Sequence, residues 1–359
     1  MSRLRVAVIG AGIGREHLRA YLALPARFEV LTLVDLDTAR ATAVLADEAP
    51  QSGIRVENDL DAALADARID LVDVCLPPHL HGPVAIRALE AGKHVVCEKP
   101  LVTSLEEADA LLAAADASGR SLTPVFQYRY GRATAQLAAL AATGLTGKAF
   151  VASLETHWNR TTDYYAVPWR GTWAGENGGA VLGHAIHAHD LLSAVLGPVV
   201  SVSADVATRV NAIDVEDCAA ITFRLASGAL ATSSITLGAA ADTTRLRFCF
   251  ERLTAESGSA PYRPAEEPWT FTARDPADQA RVDDIVAGVG PVRGGFEGLL
   301  EALADALAGK PSRVVDAAAG RASIELVAAI YTAARTGRRV TLPLGRDATL
   351  YSGWTPTPA

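Results

Sequence analysis

Short apolar runs alternate with longer segments of helical periodicity over the first 127 residues. The apolar runs predict buried strands at 4–9, 28–34, 70–76, 95–97 and 121–126, and the periodic segments predict helices that end near residues 24, 48, 66, 91 and 119. Strands that alternate with helices pair in parallel, with helices on both faces of the sheet. We therefore expect residues 1–127 to form a doubly wound α/β domain.

From about residue 148 apolar and polar positions alternate with a period of two. This predicts strands at 151–157, 199–208, 219–225, 229–237 and 246–251, with Ser227-Gly228 as a hairpin turn. Strands without intervening helices form antiparallel sheets. The polar stretch 252–268 holds three prolines and predicts an exposed loop. Helices at 296–308 and 322–335 and a strand-like piece at 339–344 complete an expected α+β domain, residues 128–359.

The 359 residues carry 33 Lys and Arg against 41 Asp and Glu, a formal net charge of −8. This balance argues against nucleic acid or an anionic membrane as a partner. No apolar run is long enough to span a bilayer, and the first residues lack the apolar stretch of a signal peptide. The cysteines lie far apart in strand-like runs, which indicates buried thiols of a cytoplasmic protein and no metal site: Cys75, Cys97, Cys218 and Cys249.

A glycine-rich turn follows the first predicted strand, with Gly10, Gly12, Ile13 and Gly14 in the order G-A-G-I-G. Such a turn before a helix lets the backbone approach a diphosphate and offers it free N–H groups. The usual spacing is G-x-G-x-x-G, so the third glycine comes one residue early, and a purely structural turn is the alternative.

Asp35 ends the second predicted strand, 21 residues after Gly14. An acidic residue about 20 positions after the turn binds the adenosine ribose of NAD. Its carboxylate, with that of Asp37, repels the 2′-phosphate of NADP, so we expect NAD and regard NADP as the less favoured cofactor. The alternative for Asp37 is a helix N-cap.

The stretch Lys93–Pro100 predicts a buried strand that ends at Glu98, Lys99 and Pro100. In an open parallel sheet, ligands bind beyond the carboxyl ends of the strands. A surface ion pair that closes the strand is the alternative. We place the remaining cofactor contacts at this edge: Leu76, Pro78, His81, Glu98, Lys99 and Gln127.

Residues 158–190 combine aromatic side chains with arginines and histidines. Trp158, Trp169 and Arg170 suit a sugar, whose ring stacks while its hydroxyls accept hydrogen bonds, although a loop buried by its own aromatics is an alternative. At helical spacing His184 and His187 share one face with Leu191 below them. They are interpreted as core histidines, metal ligands with a distant carboxylate, or a general acid/base.

Together these motifs resemble the glucose–fructose oxidoreductase/inositol dehydrogenase (Gfo/Idh/MocA) family. The resemblance runs nearly end to end and is carried by 10–17, Pro78…His81, 91–100, Arg129, Gly178-Gly179…His187…Asp190 and 331–338. It implies a Rossmann domain, a second domain with a mainly antiparallel sheet through which copies associate, and NAD(P)-dependent oxidation or reduction of sugars and cyclitols. It also implies that Lys99 and His187 are the catalytic lysine and histidine.

Gly183 departs from this family pattern, which usually has an Asp four residues before the histidine. His184 is the candidate substitute for that carboxylate. We expect Lys99 to stabilise the developing alkoxide and His187 to take the proton, with both acting on one substrate carbon. The alternatives are an NAD-bound sugar sensor without activity and redox-assisted glycoside cleavage with retained NAD.

Overall fold

The computed structural model describes residues 3–356, which divide into two compact units. The first unit comprises the chain up to Val125 together with Phe296–Ile324, and the second comprises Phe126–Gly295 with the chain from Glu325. The first break lies two residues before the predicted boundary at 127. Phe296–Ile324, which the sequence places in the second domain, groups with the first unit.

The first unit alternates strands and helices as the apolar pattern predicts. Its elements up to residue 125 are β1 (Leu4–Ile9), α1 (Gly14–Leu22), β2 (Phe28–Val34), α2 (Thr38–Glu48), β3 (Arg55–Glu57), α3 (Leu60–Ala65), β4 (Leu71–Val74), α4 (Pro78–Glu90), β5 (His94–Cys97), α5 (Leu105–Ser118) and β6 (Leu122–Pro124).

The six strands form one parallel sheet in the order β3-β2-β1-β4-β5-β6. β2 and β3 lie on one side of β1, and β4, β5 and β6 lie on the other side. The sheet therefore has its topological switch point between β1 and β4, which is where ligands bind in such sheets. Val6, Val8 and Val72 are fully buried because helices cover both faces. The predicted fold class is confirmed for this half.

The rest of the chain contains eight strands and six α-helices within residues 3–356. The elements are α6 (Arg132–Ala142), β7 (Ala149–Asn159), α7 (Trp173–Glu176), α8 (Ile186–Leu196), β8 (Val199–Ala207), β9 (Cys218–Leu225), β10 (Leu230–Thr236), β11 (Gly238–Phe250), β12 (Leu253–Glu256), β13 (Thr270–Ala273), α9 (Gln279–Gly288), α10 (Gly295–Leu307), α11 (Ala317–Thr336) and β14 (Val340–Thr341). A π-helical turn, Val181–Ala185, leads directly into α8.

The eight strands of this part pair in the order β13-β12-β11-β7-β10-β9-β8-β14. The sheet is antiparallel except where β7 runs parallel to β10. Along β9 and β10 buried and exposed positions alternate, so one face packs on α8 and the core while the other faces outward. The predicted, mainly antiparallel sheet is confirmed.

The stretch 252–268 differs from its prediction as an exposed loop. Leu253 and Ala255 are buried in β12, which pairs with β11 and β13, and Ala265 is also buried. The three prolines lie after β12, in the connection to β13, so none of them removes a hydrogen-bond donor from the paired strands. The sequence analysis also did not identify α6 and α9, which pack against one another.

No helix within residues 3–356 has the length and apolarity needed to cross a bilayer. All four cysteines are free thiols. Cys75 and Cys97 are buried as expected, whereas Cys218 and Cys249 are half-buried.

Candidate functional site

The glycine-rich turn joins β1 to α1, and each of its glycines has a different environment. Gly10 has a φ of 103°, and a Cβ there would lie 2.3 Å from the carbonyl oxygen of Cys75, so only glycine fits. A Cβ on Gly14 would lie 3.0 Å from Val8 Cγ1, which shows close packing of α1 on the sheet. A Cβ on Gly12 would meet nothing within 4 Å, and Ile13 is 43% exposed. The early third glycine therefore still allows close helix–sheet packing and leaves the α1 N-terminus accessible.

Asp35 follows β2 at the same edge of the sheet and is 6% exposed. Its carboxylate accepts hydrogen bonds from the Ala11 N–H at 2.7 Å, the Asp37 N–H at 2.8 Å and the Arg40 guanidinium at 2.7 Å. Burial alone would raise the pKa of Asp35, but these donors outweigh it and hold that pKa below its ordinary value. Asp35 is therefore a fixed anion beside the turn. Asp37 is an N-cap, since it accepts from the Arg40 N–H at 3.0 Å and begins α2.

His81 lies near the start of α4 and contacts the chain segments that follow β4 and β5. Its ring nitrogens lie 2.7 Å from the carbonyl oxygens of Leu76 and Pro100, and the side chain is 1% exposed. Leu76 and Pro78 are half-buried at the junction of β4 and α4. The ring of His81 thus braces the turn after β4 against the turn after β5.

Glu98 and Lys99 follow β5, which lies next to β4 in the sheet. Glu98 is 6% exposed, so the alternative of a surface ion pair does not describe it. Its carboxylate accepts from the Lys99 N–H at 2.9 Å and lies 2.9 Å from His17 Nε2. The other ring nitrogen of His17 lies 2.8 Å from the carboxylate of Asp73, which is completely buried in β4. Lys99 is half-buried, and the Lys99–Pro100 bond is cis.

These first-unit features fit a dinucleotide. The turn after β1, the carboxylate after β2 and the lysine after β5 all lie at the carboxyl edge of one parallel sheet, on both sides of its switch point. Gly12 is open at the position where a diphosphate would approach, and Asp35 is an anion where a ribose would bind.

The histidines of the second unit lie in two kinds of helix. His184 belongs to the π-helical turn and His187 to α8, so the α-helical spacing that predicted a shared face with Leu191 does not hold across them. A π-turn has a longer repeat than an α-turn, which changes the direction of each side chain. Both imidazoles are buried, with exposures of 8% and 4%.

Aromatic rings surround both imidazoles. His187 stacks on Tyr128 with ring centroids 4.9 Å apart and meets the edge of Phe126 at 6.2 Å. His184 meets the edge of Trp158 at 5.0 Å. Within residues 3–356, the one group of three His, Cys, Asp or Glu side chains whose polar atoms lie close together is His17, Asp73 and Cys75. Neither His184 nor His187 belongs to it, so no metal site is indicated at these two histidines.

The predicted sugar-stacking residues do not have equivalent environments. Trp158 is 5% exposed, its indole N–H donates to Thr244 Oγ1 at 3.1 Å, and its ring packs beside His184. Trp169 is 42% exposed, with the Arg170 guanidinium 4.7 Å above its ring. Of Trp158 and Trp169, Trp169 is therefore the tryptophan whose ring is accessible.

Two buried carboxylates anchor the segment that carries the histidines. Glu216 accepts from the Gly179 N–H at 3.1 Å, the Val181 N–H at 3.0 Å and the Tyr331 hydroxyl at 3.0 Å, and so caps the π-turn. Asp190, one turn after His187, accepts two hydrogen bonds from Arg129, at 2.7 and 2.6 Å. These contacts hold both ends of the segment.

Gln127 starts a short 3₁₀ turn at the beginning of the second unit. Its side-chain carbonyl oxygen is buried and forms no hydrogen bond within residues 3–356. A buried acceptor without a donor is unusual and is compatible with a ligand that supplies one.

The sequence analysis did not assign roles to His17, Asp73 or Glu216. A signal existed for the first two, because His17 lies on the apolar face of α1 and Asp73 interrupts an all-apolar strand, and a buried charge needs a partner. No signal identified Glu216, which contacts Gly179 across 37 residues of chain.

Comparison with known proteins decides the family. Residues 4–126 match the family model of an oxidoreductase family with an NAD-binding Rossmann fold, and residues 134–256 match the C-terminal domain model of GFO/IDH/MocA proteins. The chain belongs to the Gfo/Idh/MocA family. The resemblance inferred from the motifs is confirmed, as is the expected NAD-binding fold.

Individual relatives of this Gfo/Idh/MocA chain include dehydrogenases. It is 29% identical to D-glucoside 3-dehydrogenase of Escherichia coli over 95% of this chain and 98% of that protein. It is 37% identical to inositol 2-dehydrogenase of Paracoccus denitrificans over 129 residues, 35% of this chain. Some curated relatives are matched over less than two thirds of their length, and for the inositol dehydrogenase the match spans 38%.

Among solved structures, this Gfo/Idh/MocA chain is similar to the WlbA dehydrogenase from Bordetella pertussis in complex with NADH and UDP-GlcNAcA. The TM-score is 0.81 at 28% identity, over 96% of this chain and all of that one.

Proposed function

We propose that this protein is an NAD-dependent dehydrogenase or reductase that transfers a hydride between the cofactor and a hydroxyl or carbonyl of a sugar, sugar derivative or cyclitol. The observation that carries the proposal is the joint presence of the glycine turn, the fixed anion Asp35 and Lys99 at one edge of the Rossmann sheet. The relatives named for inositol and D-glucoside oxidation support the substrate class.

The turn after β1 would hold the diphosphate, and Asp35 would hold the adenosine ribose. Leu76, Pro78, Glu98 and Gln127 complete the proposed cofactor contacts. The bound NAD supplies the hydride acceptor. Because Asp35 is already ionised and held by the Ala11 N–H and Arg40, it recognises ribose hydroxyls without reorganising.

Lys99 is the group that we propose stabilises negative charge on the substrate oxygen as the C–H bond breaks. An ammonium that is half-buried acts on a developing alkoxide more strongly than one in bulk water. Its backbone is fixed by the Glu98 carboxylate, so the side chain starts from a defined point.

His187 is the proposed general base in the oxidation direction, with His184 as a second proton-transfer group. An imidazole is suited to this task because its ordinary pKa lies near working pH. Stacking on Tyr128 and the anchor of Asp190 to Arg129 fix its helix. Gly183 lacks the carboxylate common in the family, so proton transfer here would use imidazoles alone.

We propose a neutral substrate, because Arg160 and Arg170, the two arginines beside the aromatic side chains of residues 158–190, each already lie close to a carboxylate. Arg160 lies 2.9 Å from Asp242, and Arg170 lies 3.6 Å from Glu176. A carboxylate close to each guanidinium neutralises much of its charge and so weakens its attraction for a second anion such as a sugar acid or a phosphorylated sugar. Exposed Trp169 offers the ring face for stacking.

A panel of inositols, aldoses, glucosides and polyols with NAD and NADP, read as reduced-nicotinamide absorbance, tests the function. Stoichiometric accumulation of NADH with a neutral polyol or sugar supports a dehydrogenase. A sensor would bind sugar without forming NADH, and a glycoside-cleaving enzyme would release sugar without net NADH. Either of those results would overturn the proposal.

We also propose a cytoplasmic homo-oligomer that associates through the outward face of the eight-stranded sheet. That face presents apolar side chains beside polar ones, with Val151 43% and Leu230 49% exposed on adjacent strands. Light scattering of the purified chain should give a mass above that of the 37.5 kDa monomer. Leu230→Lys should lower this mass if the face is the interface.

A further inference from the structure

The imidazole of His17 lies between two carboxylates inside the first unit. Its Nδ1 is 2.8 Å from Asp73 Oδ2, and its Nε2 is 2.9 Å from Glu98 Oε1. His17 is 1% exposed, Asp73 is fully buried and Glu98 is 6% exposed. The two contacts join α1 to β4 and to the end of β5, across 56 and 81 residues of chain.

These distances restrict the charge of the ring. A neutral imidazole has one N–H and can donate to only one of two carboxylates, whereas an imidazolium donates to both. A carboxylate in the interior without a cation is costly, and Asp73 has no solvent to shield it. Both distances lie within the range of charge-assisted hydrogen bonds, as expected if each ring nitrogen carries a proton that it donates to the facing carboxylate.

The other groups facing His17 leave its charge in place. Cys75 Sγ lies 3.4 Å from both His17 Nδ1 and Asp73 Oδ1, and burial raises the pKa of the Cys75 thiol above the physiological range, so it stays neutral. Tyr21 of α1 is a buried phenol whose pKa burial also raises. From α10, the Phe296 ring lies 4.5 Å from the imidazole, centroid to centroid, and covers it with apolar surface.

We propose that His17 is a positioning residue, held as an imidazolium between Asp73 and Glu98, that fixes the Glu98 carboxylate and through it the backbone of Lys99. Burial by itself would lower the pKa of His17, but the facing carboxylate of Asp73 outweighs burial and raises it well above the ordinary value. The same ring sits in α1, three residues after Gly14 at the cofactor turn. His17 therefore connects the element that would receive the diphosphate with the lysine that would receive the substrate. The inferred charge of His17 does not depend on the function proposed above, whereas its effect on turnover rests on that function.

The first experiment measures charge without substrate. In protein labelled with ¹⁵N-histidine, at about pH 8 and thus above the ordinary histidine pKa of about 6.5, the imidazole of His17 should show two protonated ring nitrogens with slowly exchanging protons. His17→Gln should remove that signal, and His94→Gln should not. His94 lies in the same unit, and its Nδ1 accepts from the Ser121 N–H at 3.1 Å, so that nitrogen carries no proton. A signal with one protonated and one bare nitrogen at His17 would overturn the inference.

The second experiment separates positioning from general damage. His17→Gln should lower kcat by ~10- to 100-fold, as small displacements of a catalytic group do, while the Kd for NADH by calorimetry changes by less than about threefold. Glu98→Gln should lower kcat similarly, and the double variant should be no worse than Glu98→Gln alone, because His17 acts through Glu98. The positioning role would be refuted if kcat is unchanged in His17→Gln, or if the losses in kcat of the two single variants multiply in the double variant. If no panel substrate reacts with the wild type, the proposed function fails while the ¹⁵N result still decides the charge.

Discussion

Replacing Asp35 by Asn removes one negative charge at nearly constant volume. In the folded protein that carboxylate accepts from the Ala11 N–H at 2.7 Å and from Arg40 at 2.7 Å. An amide oxygen can keep the first bond, but it cannot neutralise the guanidinium. Arg40 then becomes available to an anionic group placed where the ribose 2′-oxygen would bind, which is the group that distinguishes NADP from NAD.

The size of the effect follows from two contributions. A hydrogen bond from a ribose hydroxyl to a charged carboxylate contributes about 1.5–3 kcal/mol to NADH binding. Two unit charges about 4 Å apart repel by about 4 kcal/mol at an effective dielectric constant near 20, and solvent around the 54%-exposed Arg40 side chain reduces this figure. A combined change on the order of 3 kcal/mol shifts the NADH-to-NADPH preference by ~100-fold toward NADPH.

Isothermal titration of wild type and Asp35→Asn with NADH and NADPH measures this ratio without any substrate. Asp59→Asn is the matched control, because Asp59 is the exposed N-cap of α3 and Asn is as good an N-cap as Asp. Its ratio should stay within about threefold of wild type. Equal changes in both affinities in Asp35→Asn would refute the assigned role of the carboxylate.

Three further outcomes are expected from the described geometry. Burial lowers the pKa of His189 to about 4, so the unfolded chain binds a proton before the folded protein does as the pH falls from 6.5 to 4. In urea titrations over that range, the wild type should therefore lose about 3 kcal/mol of unfolding free energy relative to His189→Gln. Gly10→Ala should cost about 2 kcal/mol or more and abolish NADH binding, because its Cβ would lie 2.3 Å from the Cys75 carbonyl oxygen. Gly183→Ala should instead raise the free energy of unfolding by up to about 1 kcal/mol, since its Cβ would meet nothing within 4 Å. A decrease in the free energy of unfolding of this variant would contradict the open environment.

The parallel half of the fold was predictable because its signals are local. A fully buried strand is a continuous apolar run, and the helices between the strands carry their own caps, such as Ser104, which accepts from the Glu107 N–H at the start of α5. Asp35 could be located by counting from Gly14, since the β-α-β geometry sets that spacing.

The remainder depended on contacts between distant segments. Whether β7 pairs parallel or antiparallel with β10 is not encoded in the alternation of either strand. The π-turn at Val181–Ala185 breaks the 3.6-residue count that placed His184 and His187 on one face. The His17–Asp73–Glu98 array joins three elements, and only the polar residues on otherwise apolar faces indicate it in the sequence.

Turnover of Lys99→Met tests the central claim most directly, because methionine is an unbranched side chain only one atom shorter than lysine and carries no charge. With the substrate that wild type oxidises best, kcat should fall by ~10³-fold, the order expected when a group that stabilises the developing oxyanion is lost. The Kd for NADH should stay within about threefold of wild type. Retention of wild-type kcat in Lys99→Met would contradict the account.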